Sequence, residues 1–170
     1  NKLKRTYEAG TRLIAEIKEE IMYLESIINA IDIATTENDL NNIKDELALT
    51  GYIRKTVRSK NKGNTHNKPM HYVSSDGFDI YVGKNNIQND ELTFKFANGG
   101  DWWFHAKQMP GSHVIVKTEG RELPDKTFEE AAALAAYYSK GRELEKVEVD
   151  YVLKKEVKKP AGAKPGFVVY

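Results

Sequence analysis

Apolar residues in the first part of the chain recur at steps of three and four. Leu3, Tyr7, Gly10, Ile14, Ile17, Ile21, Leu24, Ile28 and Ile31 follow the a/d spacing of a heptad, with charged residues such as Lys4, Glu8, Arg12, Glu16 and Lys18 between them. This predicts a helix of roughly 45–50 Å, at about 1.5 Å per residue. Thr35-Thr36 followed by Asp39 reads as a capping box for a second helix. That helix carries Leu40, Ile43 and Leu47 and stops at Gly51. At roughly 18 Å it is too short to cover the first helix along its length. The seam Ile14, Ile17, Ile21, Leu24, Ile28 and Ile31 is therefore expected to meet a partner helix outside this sequence, or to self-associate.

From Met70 onward the period changes to two. Met70–Ser74 and Phe78–Val82 flank Ser75-Asp76-Gly77, a strong hairpin signal. Gly83 to Asp90 reads as a polar loop, with Asn89 or Asp90 capping a short helix through Leu92–Ala97. Asp101 to Lys117 is the centre of the pattern. Trp102, Phe104 and Ala106 alternate with Trp103, His105 and Lys107, the chain turns at Pro110-Gly111, and His113–Lys117 forms a second strand. Thr127-Phe128-Glu129-Glu130 reads as a capping box for an alanine-rich helix ending at Gly141. Val147, Val149, Tyr151 and Leu153 predict another strand, and Phe167–Tyr170 the start of a last one. The expected fold class is α+β: a long coiled-coil helical arm followed by a compact domain with a mixed or antiparallel sheet and packed helices. The expected boundaries are 1–53 for the arm, 54–69 for a basic linker and 70–170 for the α+β domain, its last strand cut short.

The formal charge of +1, from 26 basic and 25 acidic residues, hides an uneven distribution. Arg54, Lys55, Arg58, Lys60, Lys62 and Lys68 fall in a stretch with no acid, a tract suited to phosphates or to a solvated linker. The absence of cysteine excludes disulfides and thiolate metal sites, and no apolar run approaches the roughly 20 residues of a membrane helix. Asn1 stands where an initiator methionine would, and no secretory signal opens the chain, so the sequence is read as a fragment.

His105 and His113 flank the turn and, with Asp101, resemble the raw material of an acid–base pair or a metal site. A histidine pair without carboxylates at ligand spacing is a weak metal signal, and no nucleophile or oxyanion device accompanies it. Ser112 is not in a Gly-x-Ser-x-Gly elbow, and Gly83-Lys84 lacks the phosphate-loop spacing. The histidines are therefore read as hydrogen-bonded turn residues, with no catalytic or metal site and no cofactor assigned. Binding is the better reading. Lys84, Asn85, Gln88, Asn89, His105, Lys107, Ser112, His113, Lys117, Lys154, Lys155, Lys158, Lys159 and Lys164 are candidates for a surface that reads a folded RNA through shape and phosphates.

Several of these segments, in order, resemble one family. Gly83-Lys84-Asn85-x-x-Gln88-Asn89-Asp90, Asp101-x-Trp103-Phe104-His105-Ala106, Pro110-Gly111-Ser112-His113 through Lys117, the alanine helix ending Tyr138-Ser139, and Val149-Asp150-Tyr151 through Gly166 are similar to the NFACT-R domain. Glu46-Leu47 to Ile53 resembles the end of the coiled coil that precedes it. Val152 stands where the family often has a threonine after Asp-Tyr. The resemblance implies a C-terminal piece of a bacterial ribosome quality control factor of a Gram-positive type, formerly described as fibronectin-binding. It implies a cytoplasmic protein that binds stalled large ribosomal subunits carrying peptidyl-tRNA and recruits alanyl-tRNA for C-terminal alanine tailing. The arm would touch the ribosome, and its partner helix and the N-terminal domains of the parent would be missing here. The alternatives are a histidine-based nucleic-acid-processing enzyme and a fibronectin-binding surface adhesin.

Overall fold

The computed structural model describes residues 1–54 and 68–170. Arg54 is exposed, and the linker residues Lys55, Arg58, Lys60 and Lys62 lie outside the described residues. Helix α1 spans Lys2–Ile33 and helix α2 spans Glu37–Leu49. The Thr36–Asp39 capping box forms, with the Asp39 backbone N–H donating to Thr36 Oγ1 over 3.1 Å and the Thr36 N–H donating to Asp39 Oδ2 over 3.0 Å. At the far end Gly51 adopts φ +85°, and the Tyr52 N–H reaches back to the Leu47 carbonyl over 2.9 Å. This is the left-handed stop that only glycine adopts at low cost.

Helix α2 does not lie on the heptad seam. It packs on the neighbouring face of α1, where Tyr23, Ile27 and Ala30 meet Ile43 and Leu47. The seam itself faces solvent: Ile14 is 57% and Ile28 58% exposed, and Ile17, Ile21, Leu24 and Ile31 are exposed too. Replacing Ile21 and Ile28 together by lysine is therefore expected to change the stability of this chain by no more than about 0.5 kcal/mol in chemical denaturation. A loss above about 1 kcal/mol would mean that the seam is already packed in solution.

The compact part is one five-stranded sheet in the order β1-β2-β4-β3-β5, formed by Met70–Val73, Asp79–Val82, Trp102–Ala106, Val114–Val116 and Val149–Leu153. Every pairing is antiparallel, so the mixed alternative falls away. The alternation read at Trp102-Trp103 places consecutive side chains on opposite faces. On one face Ile80, Val82, Phe104, Val114 and Val116 meet helix α4, Asp125–Tyr137, through Ala131 and Ala135. The small alanines let the helix lie close to the sheet. On the other face Trp103 and Ile115 pack with Leu92, Ala97 and Val157.

Three local expectations are corrected. The segment Gly83–Asp90 is not all loop: Asn85 caps a helix α3 at Asn86–Glu91, which continues as a π-helical turn through Leu92–Phe96. Helix α4 begins after Pro124, with proline's fixed φ serving the entry, so Thr127 is not its cap. Thr127 is buried inside the first turn, and its hydroxyl bonds Ser74 Oγ and Asp76 Oδ2, tying the helix to the hairpin turn. Finally, Phe167–Tyr170 makes a single bridge, Val169 to Lys158, rather than a strand.

Candidate functional site

The segments 83–90, 105–113 and 159–166 converge beside the arm, and side-chain amides join them. Asn85 Oδ1 accepts from the Gln88 N–H, and Gln88 Oε1 accepts from the Lys84 N–H, both within 2.9 Å. Asn89 Oδ1 accepts from the His113 N–H over 3.0 Å, while its Nδ2 donates to the Gly111 carbonyl. Asn86 turns the other way, donating to Ser26 Oγ over 2.8 Å and to Glu46 Oε1 over 2.9 Å. Asp90 holds the Lys159 ammonium at 2.8 Å and the Gly166 N–H at 3.1 Å. Gly166 must be glycine: it has φ +80°, and a Cβ there would sit 2.6 Å from Asn86 Oδ1. The asparagine-rich motif thus fastens helix, turn, loop and arm into one elbow.

Glu46 lies at the centre of that elbow and is fully buried. The Tyr23 hydroxyl donates to Glu46 Oε1 over 3.0 Å. Glu46 Oε2 has no aligned hydrogen-bond partner among the described residues. Burial raises the carboxyl above its ordinary range, and the Asn86 and Tyr23 bonds pull it partly back. Sequence reasoning missed Glu46, Tyr23, Asn86, Asp39 and Asp90 as junction residues. A signal existed for Glu46, which falls on the same helical face as Ile43, three residues earlier.

The histidines are built into the same wall. His113 is buried, with Nδ1 2.8 Å from Thr93 Oγ1 and Nε2 3.2 Å from the Gly166 carbonyl. A carbonyl only accepts, so Nε2 carries the proton and Nδ1 accepts from the threonine. His105 stacks on Trp103 and meets His113 edge-on at 5.5 Å. Burial lowers His105 to about 4, and burial together with the His105 charge pushes His113 well below the usual histidine range. Both rings are neutral near neutral pH. Among the described residues, no group of three or more His, Asp or Glu side chains is arranged to hold a metal ion.

The lysines fall into three neighbourhoods rather than one cationic surface. Lys84, Lys159 and Lys164 serve the elbow: Lys84 pairs with Asp39 at 3.3 Å, and Lys164 lies 4.7 Å from the Tyr23 ring centre and 3.1 Å from the Tyr52 hydroxyl. Ser112 is buried there, its N–H bonded to the Tyr138 carbonyl. Lys107 pairs with Glu148 at one end of β3. At the other end, roughly 20 Å away by strand length, Lys117 grips the buried Asp101 at 2.5 Å. Lys154 and Lys155 lie beside that end, their N–H groups donating to the Asp101 and Gly99 carbonyls. Lys155 and Lys158 are exposed. Neither Lys154, Lys155 nor Lys158 makes an ion pair among the described residues.

A cleft of about 580 Å³ separates α1 from the 160–167 loop. Glu16, Glu19 and Glu20 line its arm side, facing His105 and Pro110. With Lys164 as the cleft's one lysine against three glutamates, the arm side disfavours phosphate, and the outer lysines are better placed to meet it.

Residues 68–169 match the family described as NFACT protein RNA binding domain, and residues 1–66 match the NFACT N-terminal and middle domains. The chain is 45% identical to the Rqc2 homolog RqcH of Streptococcus suis over 170 residues, and 40% identical to that of Bacillus subtilis over 171. Each comparison covers 99% of this chain and 30% of the relative, so the chain spans under a third of those proteins. The solved C-terminal structure of the fibronectin/fibrinogen-binding protein from Streptococcus suis superposes with a TM-score of 0.89 at 45% identity, over 99% of this chain and 67% of that one. The two family matches together span the arm and the sheet domain, and the chain belongs to the NFACT family.

Proposed function

We propose that this chain is the arm-bearing, RNA-binding part of a cytoplasmic ribosome quality control factor. The whole protein binds stalled large ribosomal subunits carrying peptidyl-tRNA and recruits alanyl-tRNA, so that alanines are added to the stalled chain. The observation that carries this reading is the RNA-binding family match over residues 68–169, together with RqcH relatives at 40–45% identity. Two features of the fold agree with it. The exposed heptad seam fits a second helix supplied by the rest of the parent, making a coiled-coil arm that reaches the ribosome. Lys154, Lys155 and Lys158 form a cationic stretch available to phosphates. The part played by this chain is binding rather than chemistry: its two histidines are neutral, hydrogen-bonded and tied into the elbow.

The test is co-sedimentation of the chain with large ribosomal subunits over a range of salt. Binding is expected to weaken steeply with salt. Lys154→Glu, Lys155→Glu and Lys158→Glu combined are expected to flatten the log–log slope by about 2, at roughly 0.7–0.9 per phosphate contact. Lys159 is left intact because it holds the loop through Asp90. Salt-independent sedimentation, or an unchanged slope in the triple variant, counts against the reading. A fibronectin-binding assay on the same preparation examines the property in the solved neighbour's name.

A further inference from the structure

We propose that the sheet face beside the π-helical turn is a stacking platform for unpaired RNA nucleotides, with Phe96 at its centre. This rests on the RNA-binding reading above and assigns it a face and a form of RNA. The rings form a continuous row. His71 stacks on Tyr81 with ring centres 4.7 Å apart and planes 19° from parallel. Tyr81 in turn meets Phe96 edge-on, also at 4.7 Å. Phe96 is 44% exposed, a large ring left at the surface although the sheet face beneath it is fully packed.

The backbone that presents this ring is unusual. Leu92–Phe96 is a π-helical turn, closed by the Ala97 N–H donating to the Leu92 carbonyl over 2.8 Å. Such turns are rare and concentrate at functional sites. Here the turn buries Leu92 and Thr93 and leaves Lys95 and Phe96 outward. Thr93 is the residue that bonds His113, so the platform is anchored to the elbow beneath it.

Cations frame the row. Lys117 Nζ lies 4.9 Å from the Phe96 ring centre, and Lys154 Nζ lies 5.7 Å from that of Phe94. The carboxylates beside it are engaged: Asp79 by His71 at 2.6 Å, Asp101 by Lys117, Glu91 by Lys95, and Glu119, which faces Tyr81, by Arg121 at 4.0 Å. Lys154 and Lys155 are left to meet an incoming anion. The chemistry that fits is a planar ring followed, one backbone step away, by a phosphate. An unpaired nucleotide has both. A paired one hides its faces within the helix, and an acidic peptide brings no planar base to lie on Phe96.

The experiment uses the intact chain and an oligouridylate carrying a single 2-aminopurine, followed by anisotropy and by the fluorescence of the modified base. Wild type is expected to bind and to quench the probe. Phe96→Ala is expected to weaken binding about tenfold and restore the fluorescence, while Phe96→Tyr retains both. Lys154→Gln is expected to lower the salt slope by about 0.7, which Phe96→Ala leaves unchanged. If Phe96→Ala proves unstable, 4-thiouridine crosslinking of wild type is expected to label Phe94–Phe96. Wild-type RNA binding that Phe96→Ala leaves untouched, or crosslinks confined to other segments, overturns the platform and leaves the RNA-binding reading standing. A preference for duplex over single strand, or displacement by a tighter-binding acidic peptide, also overturns it. Failure to bind any RNA sinks both together.

Discussion

Acidification from pH 6.5 towards 4 is expected to destabilise the folded chain steeply. The cause is the pair of neutral imidazoles at the elbow. In the unfolded chain a histidine takes up a proton near pH 6.5. In the fold, burial delays this for His105 to about pH 4 and holds His113 well below the ordinary histidine range. Below pH 6.5 the unfolded state therefore binds protons that the folded state refuses, and stability rises with pH through this window. Each histidine contributes a slope of up to about 1.4 kcal/mol per pH unit, and His105 alone a total of about 3 kcal/mol by pH 4. That is a large share of the roughly 5–15 kcal/mol that holds an ordinary domain together. Glu46 acts in the opposite sense. Its carboxyl is raised above 4.5 in the fold, so its stabilising contribution is present at low pH and lost as pH rises through the folded value. Urea unfolding at a series of pH values checks both. His113→Gln should flatten the acid limb, and Glu46→Gln should steepen it. Three superimposable pH profiles would show that these groups are not what the proton senses.

The second large effect is expected at Asn86. Its amide bridges the domain to both helices of the arm through Ser26 and Glu46. Asn86→Leu removes both side-chain bonds and leaves a fully buried carboxyl with the Tyr23 hydroxyl and the backbone N–H groups of Asn86 and Ile87. The cost is about 3 kcal/mol, since an ionisable group stranded in the interior is more expensive than a pair that was never made. Part of the loss should be recovered in the double variant with Glu46→Gln, giving a coupling of about 1–2 kcal/mol. Spin labels on α1 and α4 should report a broadened distance distribution in Asn86→Leu. A variant that unfolds at the wild-type denaturant concentration with a sharp distance distribution would show that the arm is fixed by other contacts.

The elements whose period is internal were legible in the sequence. The arm helix, the Asp76-Gly77 hairpin, the strands at Trp102 and Val149 and the alanine helix each announce themselves through spacing or turn chemistry. The misses share a cause. Thr127 looked like a cap because Ser, Thr, Asp and Asn serve equally as caps and as cross-braces. Only the approach of Ser74 and Asp76 decides between the two. The heptad seam was visible, but the face that α2 covers is set by where Ile43 and Leu47 land, a tertiary fact. The lysines misled for a related reason. Their charge is written in the sequence, whereas the carboxylates that claim Lys84, Lys117 and Lys159 lie 45, 16 and 69 residues away. The elbow could not be foreseen from Lys84–Asp90 alone, because half of it belongs to the arm.

Strand β3 stands between β4 and β5, and β5 lies more than forty residues further along the chain, from Val149 to Leu153. As the nascent polypeptide emerges from its own ribosome, the hairpin, β4 and α4 are available well before that last strand. Throughout the interval the open margin of β3 offers unpaired amides and carbonyls beside Trp102 and Phe104, an invitation to any sticky neighbour. A product cut off ahead of Val149 should accordingly clump and be degraded.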